Sequence, residues 1–313
     1  MSTISTLARQ NLFLQSIAQL QTQANTLESQ VSKGIKSTQL SGLGASAAEI
    51  TNLQNEVSQN QSYLDTISTV QQNVQENSTV LSNIESAVTN FTSGLPDSAF
   101  TTSPNTIQTT AKQLLQEVGD FINTQGANGY IFSGSLTGTA PFDTSGLPNP
   151  GSLTSSVSGA PPSGYYTGNN TAASATIDNN LTIQYGVTGN NPALENIIRV
   201  LNFFANLPPG SPNANSPTDQ ANVGQAQTLL TQGVAGLQQA IGKLASQTSE
   251  LSQVQHQHQG MITLAQTNLT NIEAVDPATV ISQLNQLETT MQASFTTISD
   301  LQKLSLVNYL PVG

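Results

Sequence analysis

The sequence predicts a mainly α protein with a small β-rich insert. Apolar residues recur at intervals of three, four or seven over long stretches at both ends of the 313-residue chain, which is the spacing of an amphipathic helix. Residues 126–219 lose this period and are crowded with Gly, Pro, Ser, Thr and Asn. Because amphipathic helices need a partner for their apolar stripes, we expect the N- and C-terminal segments to form a long antiparallel helical bundle or coiled coil.

Three helices are predicted in the N-terminal part. An apolar stripe spans residues 4–31, and the glycines of KGIKSTQLSGLGAS interrupt it. A second stripe spans residues 50–91, and we expect Gly94 and Pro96 to end that helix. A third helix is predicted from about Pro104 to Thr124, where apolar residues again lie on one face.

The middle of the chain predicts a β-hairpin and one short helix. Residues 174–178 and 181–185 form two strand patterns around Asn179–Asn180, a pair that tolerates the positive φ angles of a tight turn. Asn191 is a predicted N-cap, with Pro192 at the first position of the next helix.

The helical stripe returns at residues 223–272 and again at 281–304, and Asp276 is predicted to cap the last helix. Three domains are expected. Residues 1–40 and 275–313 form a terminal coiled-coil domain. Residues 41–142 and 219–274 form a long-helix bundle with a β-hairpin. Residues 143–218 form a variable, outer, β-rich domain.

Composition excludes several classes of protein. Only 8% of residues are charged and the formal net charge is −11, so no cation cluster is present that could neutralise nucleic-acid phosphates. Cysteine is absent, which excludes disulfides and thiolate metal sites. The N-terminus lacks the pattern of a cleaved secretory signal, and no apolar run is long enough to span or insert into a membrane. A low-charge surface rich in Ser, Thr, Asn and Gln suits burial in an assembly.

No catalytic, cofactor or metal site emerges from the sequence, and we expect no enzyme activity. His256 and His258 point about 200° apart on a predicted helix, so they cannot share a metal and are expected to be packing or solvent-facing residues. A hydrolase in the middle segment would have only Asp143, Asp178 and Glu195 as acids. A glycan-binding or surface-binding role of that segment stays open as a second alternative.

The stretch NGYIFSGSLTGTAPF follows the third helix and is rich in glycine. It cannot be a phosphate loop, because no lysine occurs between residues 112 and 243. Its glycines, Gly134 among them, are predicted turn positions. Tyr130, Ile131 and Phe132 are predicted to pack a short strand of a hairpin onto the helices, with Phe142 pinning the return strand.

Several segments resemble the flagellin superfamily, and within it the hook–filament junction proteins (third hook-associated proteins). They are GANGYIFSGSLTGTAPF, the N-terminal LESQVSKGIKSTQLSGLGASAAEITNLQNEVSQNQSYL, LTIQYGVTGNNPALENIIRVL, and the C-terminal AVDPATVISQLNQLETTMQASFTTISDLQKLSLVNYL. Their order and spacing make the resemblance specific, and together they cover most of the chain outside residues 143–173.

The resemblance implies a structural subunit of the extracellular bacterial flagellum, exported by the type III apparatus without a cleaved signal peptide. It would join the hook to the filament by helical self-assembly of its terminal segments. The implied partners are other copies of the chain, the hook-side junction protein, flagellin, and an export chaperone at the C-terminal helix. The alternative is flagellin, the filament subunit itself. The residues expected at the assembly interface are Ile4, Leu7, Leu14, Ile17, Leu284, Leu287, Met291, Phe295, Ile298 and Leu301.

Overall fold

The structure is a computed structural model that describes residues 2–101, 104–126, 128–147 and 164–307. Within these ranges, the side chains of residues 2–10, 40, 96–99, 101, 104 and 301–307 are not described. The chain divides into two compact units. The terminal unit consists of Met1–Ser58 and Met261–Gly313, and the central unit of Gln59–Gly260. The mainly α fold with a small β insert is confirmed, whereas the predicted boundaries of three domains stay a prediction.

Two long terminal helices dominate the terminal unit. Helix α1 spans Ser2–Lys33, and two 3-10 turns, Leu40–Gly42 and Gly44–Ser46, follow it. Helix α6 spans Pro277–Val307 and packs against α1. The segment after α1 pairs with the segment before α6 through a bridge from Ile35 to Ala274, so the two helices run antiparallel.

Helix α2 spans Ala47–Thr101 and therefore continues through both Gly94 and Pro96, where the sequence had predicted its end. That prediction was wrong because packing overrides the local signal. Leu95 is fully buried in the core of the central unit, and it extends the stripe of Val88 and Phe91 past the glycine. The apolar stripe, rather than the helix-breaking residues, determines the length of this helix.

Three further helices complete the central unit. Helix α3 spans Pro104–Ile122, α4 spans Pro192–Ala205, and α5 spans Pro217–Glu273, its last residues lying in the terminal unit. The predicted cap of α4 is confirmed, since the Asn191 side chain accepts a hydrogen bond from the Ala193 N–H at 2.9 Å. Nine of the fourteen residues of α4 are buried, which makes α4 a central element of the core.

The described β structure consists of two small antiparallel sheets. Strands β1 (Gln125–Gly126) and β2 (Gly129–Tyr130) form one, and β3 (Ala173–Asp178) and β4 (Leu181–Tyr185) form the other. The predicted β3–β4 hairpin is confirmed, but its turn differs from the expectation. No described residue other than glycine has a positive φ, so Asn179–Asn180 do not use that conformation, and an irregular register between Thr176 and Asp178 accommodates the turn.

The glycine-rich stretch after α3 also differs from the prediction. Its strand includes Tyr130 but not Ile131 or Phe132, which lie in a turn. Phe142 does not return onto this strand and instead forms an isolated bridge with Tyr166. The reason is a contact 19 residues away in the sequence: both backbone polar groups of Phe142 are hydrogen-bonded to the Asn123 amide, at 2.9 and 3.0 Å. The strand is short because the chain turns to bury Phe132 completely.

Candidate assembly surface

The ends of α1, α5 and α6 meet in a joint made largely of backbone hydrogen bonds. Gly34, at a φ of +70°, ends α1, and its carbonyl accepts from the Val275 N–H at 3.1 Å. The Lys36 N–H donates to the Glu273 carbonyl at 2.8 Å, and the Lys36 ammonium donates to the Ile272 carbonyl at 2.6 Å. A cation at the last carbonyls of α5 complements the negative end of that helix. The joint therefore fixes where α1 and α6 begin to pack.

Asp276 caps the first turn of α6, as the sequence predicts. Its carboxylate accepts from the Thr279 hydroxyl at 2.6 Å and from the Ala278 N–H at 3.0 Å. These two bonds, the Thr279 bond first, lower the pKa of the exposed Asp276 below its ordinary value. The ionised carboxylate is thus the form that holds the start of α6.

We expect α6 to fray as pH falls through the acidic range. Because the folded pKa of Asp276 is lowered, its contribution is complete above the unfolded value of about 3.9 and is lost below it. Amide exchange of the first turn of α6, taken relative to the intrinsic exchange rate at each pH, should accelerate in acid. In Asp276→Asn, which keeps a capping oxygen but does not titrate, this acceleration should be absent. An equal acid response in the two proteins would contradict the assignment.

The terminal unit buries few apolar side chains. Its buried apolar residues, among those that the structure describes, are Ile17, Ile50, Ala265 and Val280. The continuous core, which comprises 36 buried residues among those described, lies wholly within residues 67–254, in the central unit. An open groove of about 540 Å³ separates parts of α1 and α6, and Leu20, Leu27 and Leu287 line it beside Gln and Thr residues. The two helices therefore leave much of their apolar surface uncovered.

Exposed large apolar side chains are concentrated in the same unit. Seven are exposed among the described residues, and five of them belong to the terminal unit. Those five are Leu12, Leu14, Leu264, Ile281 and Phe295, and the other two are Leu136 and Leu181. Leu14 and Phe295 keep 52% and 49% of their surface accessible, so about half of each side chain contacts nothing in the chain. Exposure of several large apolar side chains in one unit is typical of a surface that associates.

The predicted interface residues divide into three groups. Leu14 and Phe295 are exposed, and Ile17 is buried. Half-buried residues are Leu284, Leu287, Met291 and Ile298. The side chains of Ile4, Leu7 and Leu301 lie outside the described residues. The predicted interface did not include three exposed residues, Leu12, Leu264 and Ile281, although Leu12 begins a Leu-Phe-Leu run that no single helix face can bury. The predicted role of the ten residues in assembly stays a prediction.

The glycine-rich stretch lies in the central unit, not on this surface. The Phe132 carbonyl accepts from the Gly189 N–H at 2.7 Å and from the Tyr166 hydroxyl at 3.0 Å. Gly134 has a φ of +69° and lies against Asn169. Tyr130 and Ile131 are half-buried, and Phe142 is buried with its ring centroid 5.7 Å from that of Tyr165. These hydrogen bonds and packing contacts hold the loops of the central unit together.

Two of the titratable groups singled out in the sequence, His258 and Asp143, form structural contacts. His256 is exposed, whereas His258 is buried between the Asn60 side chain and the Ile177 carbonyl, with its ring nitrogens 2.6 and 2.8 Å from their oxygens. The Asp143 carboxylate accepts from Ser145, which lowers its pKa. Within the described ranges, no group of three His, Asp or Glu residues is placed to hold a metal ion. None of the described helices is both long and apolar enough to cross a membrane.

Solved structures of flagellar proteins are similar to this chain. A structure of a "putative flagellar hook-associated protein" from Vibrio parahaemolyticus matches with a TM-score of 0.57 and 16% identity, over 73% of this chain and 97% of that one. The structure of FlgL from Bacillus cereus matches over 74% of this chain and 96% of that one with 14% identity, but its TM-score of 0.37 is too low to establish a shared fold. No family model matches the sequence, and no curated protein matches it. The resemblance read from the sequence is thus confirmed in fold alone: the chain has the fold of this structure from Vibrio parahaemolyticus.

Proposed function

We propose that this chain is a non-enzymatic structural subunit of the bacterial flagellum that joins the hook to the flagellin filament. The observation that supports it best is the uneven distribution of exposed large apolar side chains: of the seven found among the described residues, five lie in the terminal unit. The shared fold and the sequence resemblance direct the proposal to the flagellum. The joining surface would be α1 and α6, covered in the assembly by other copies of the chain, by the hook-side junction protein and by flagellin.

The chemistry of the two helices suits burial in such an assembly. Many of their hydroxyls already donate to the carbonyl four residues earlier, as in Thr22, Thr26, Thr289, Thr290 and Thr297. A satisfied hydroxyl can leave water at a lower cost than a free one. The proposal includes export without a cleaved signal peptide, an extracellular location and chaperone binding at α6, all of which rest on the sequence resemblance.

A matched pair of double variants tests the joining surface. Leu14→Ser with Phe295→Ser removes two exposed apolar side chains from the terminal unit, and Leu136→Ser with Leu181→Ser removes two from the central unit. We expect the first variant to bind isolated hooks roughly a hundredfold more weakly than the wild-type chain, because each buried side chain contributes about 1.5 kcal/mol or more. The second should bind as the wild type does. Co-sedimentation with hooks, followed by electron microscopy, gives the measurement.

Addition of the wild-type chain to isolated hooks and to filament seeds distinguishes a junction protein from flagellin. A junction protein should add a limited number of copies to a hook and then stop, whereas flagellin should extend filaments without limit from filament seeds. Equal loss of binding in both double variants, with the fold intact by circular dichroism, would contradict the assignment of the surface to α1 and α6.

A further inference from the structure

A polar groove lies beside the end of α1 in the terminal unit. It has a volume of about 400 Å³ and lies between the last turns of α1 and the segment that follows the helix. Most of its lining residues carry hydroxyls or amides, and two are lysines, Lys33 and Lys36. All of the lining residues belong to the described part of the chain, and none is a carboxylate. The charged side chains of this groove are therefore cations.

A groove lined by cations contrasts with the rest of the chain, which is strongly acidic. The sequence contains 18 Asp and Glu residues against seven Lys and Arg residues, and its formal net charge is −11. Two of these seven basic residues line the one groove. They are also the only Lys or Arg residues of the terminal unit whose side chains the structure describes. The described positive charge of the terminal unit is thus concentrated at one place.

The two lysines have different contacts. The Lys36 ammonium donates to the Ile272 carbonyl at 2.6 Å and so belongs to the joint between α1, α5 and α6. Lys33 lies in the last turn of α1, where its charge complements the negative end of the helix. Its side chain is exposed and makes no hydrogen bond or ion pair with any described residue. The Lys33 ammonium is therefore available to a carboxylate from outside the groove.

Charge complementarity selects the occupant. Copies of a chain with a net charge of −11 repel one another at long range, and oppositely charged groups that meet at an interface offset this repulsion and fix the docking. A second copy offers carboxylates in excess. Three of them in the terminal unit, those of Glu28, Glu49 and Glu288, are exposed and make no bond with a described residue. A nucleic acid, in contrast, would be repelled by most of the chain.

We propose that this groove receives an acidic side chain of a second copy of the chain, with Lys33 as the cation that pairs with its carboxylate. The proposal rests on the proposed function, in which copies of the chain cover one another. It adds a polar contact to the apolar surface of α1 and α6. The apolar side chains supply area without direction, whereas the ion pair sets the position of one copy against the next.

Cross-linking of the self-associated full chain identifies the partner of Lys33. A carbodiimide joins an ammonium to a carboxylate in contact with it through an amide bond, and takes up the water that this condensation releases. Copies labelled with ¹⁵N and unlabelled copies are mixed before the reaction, so that mass spectrometry distinguishes cross-links between copies from those within one copy. We expect a cross-link from Lys33 of one copy to an Asp or Glu of another.

A matched pair of variants measures the effect of the contact. Lys33→Gln and Lys243→Gln each remove one positive charge from an exposed lysine, the first in the groove and the second on α5 in the central unit. Both variants therefore change the long-range repulsion between copies by the same charge. We expect Lys33→Gln to self-associate roughly two- to fivefold more weakly than Lys243→Gln in analytical ultracentrifugation, as for loss of one accessible ion pair.

Two results would overturn this proposal and leave the proposed function intact. One is a self-associated chain in which Lys33 forms no cross-link between copies, and the other is equal self-association of the two variants. A wild-type chain that binds hooks but does not associate with itself would likewise contradict only the groove. A wild-type chain that neither self-associates nor binds hooks would contradict both the groove and the proposed function.

Discussion

Gly134→Ala should lower the free energy of unfolding of the central unit by about 3 kcal/mol or more. Gly134 has a φ of +69°, which costs an L-residue roughly 1–2 kcal/mol. A Cβ atom there would also come within 2.5 Å of the Asn169 carbonyl oxygen and 2.7 Å of the Thr171 carbonyl oxygen. Because both are backbone atoms, the loop must shift and weaken the bonds that Asn169 makes to Ser133 and Ser135.

Gly210→Ala is the matched control for this effect. Gly210 has a φ of +86°, but a Cβ atom there would meet nothing within 4 Å. It should therefore show only the cost of the backbone conformation, roughly 1–2 kcal/mol. Urea denaturation followed by circular dichroism measures both. Equal destabilisation by the two substitutions would show that the close approach of the loop at Asn169 contributes nothing.

His258→Ala should destabilise the central unit by roughly 2–5 kcal/mol. The substitution removes the contacts of both imidazole nitrogens, with Asn60 Oδ1 and with the Ile177 carbonyl, and loss of a buried hydrogen-bond partner costs about 1–3 kcal/mol. It also removes a ring that packs against Tyr63, with the ring centroids 5.1 Å apart. The hairpin of β3 and β4 should loosen first, since Ile177 lies in β3.

His256 serves as the control, because it is exposed and lies two residues away on the same helix. His256→Ala should change the free energy of unfolding by no more than about 0.5 kcal/mol. Urea denaturation gives the two values, and hydrogen exchange of β3 amides locates the loosened segment. If His258→Ala is as mild as His256→Ala, the buried imidazole does not tie the hairpin to α2 and α5.

Features determined by neighbours in sequence were predictable. The caps at Asn191 and Asp276 follow from an Asx residue before a proline, and both are present. The strands of the β3–β4 hairpin follow from their alternation and the turn residues between them. Helix caps and strand alternation depend on residues that lie close together in the sequence, so a single sequence is enough to predict them.

Features determined by distant contacts were not predictable. Helix α2 passes Gly94 and Pro96 because Leu95 packs in the core, and Phe142 leaves its expected strand because Asn123 binds it. The partners of His258 are 198 and 81 residues away in the sequence. The apolar stripes of the terminal segments predicted that α1 and α6 pack together. They did not predict which of their side chains remain exposed, because exposure depends on the packing geometry of the two helices.

Deletion of the gene, followed by electron microscopy of the cells, tests the central claim most directly. If the chain joins the hook to the filament, cells should carry bare hooks while unassembled flagellin accumulates in the medium. The wild-type gene should restore filaments, and the Leu14→Ser, Phe295→Ser double variant should not. Cells that lack the gene but still carry normal filaments would contradict the account.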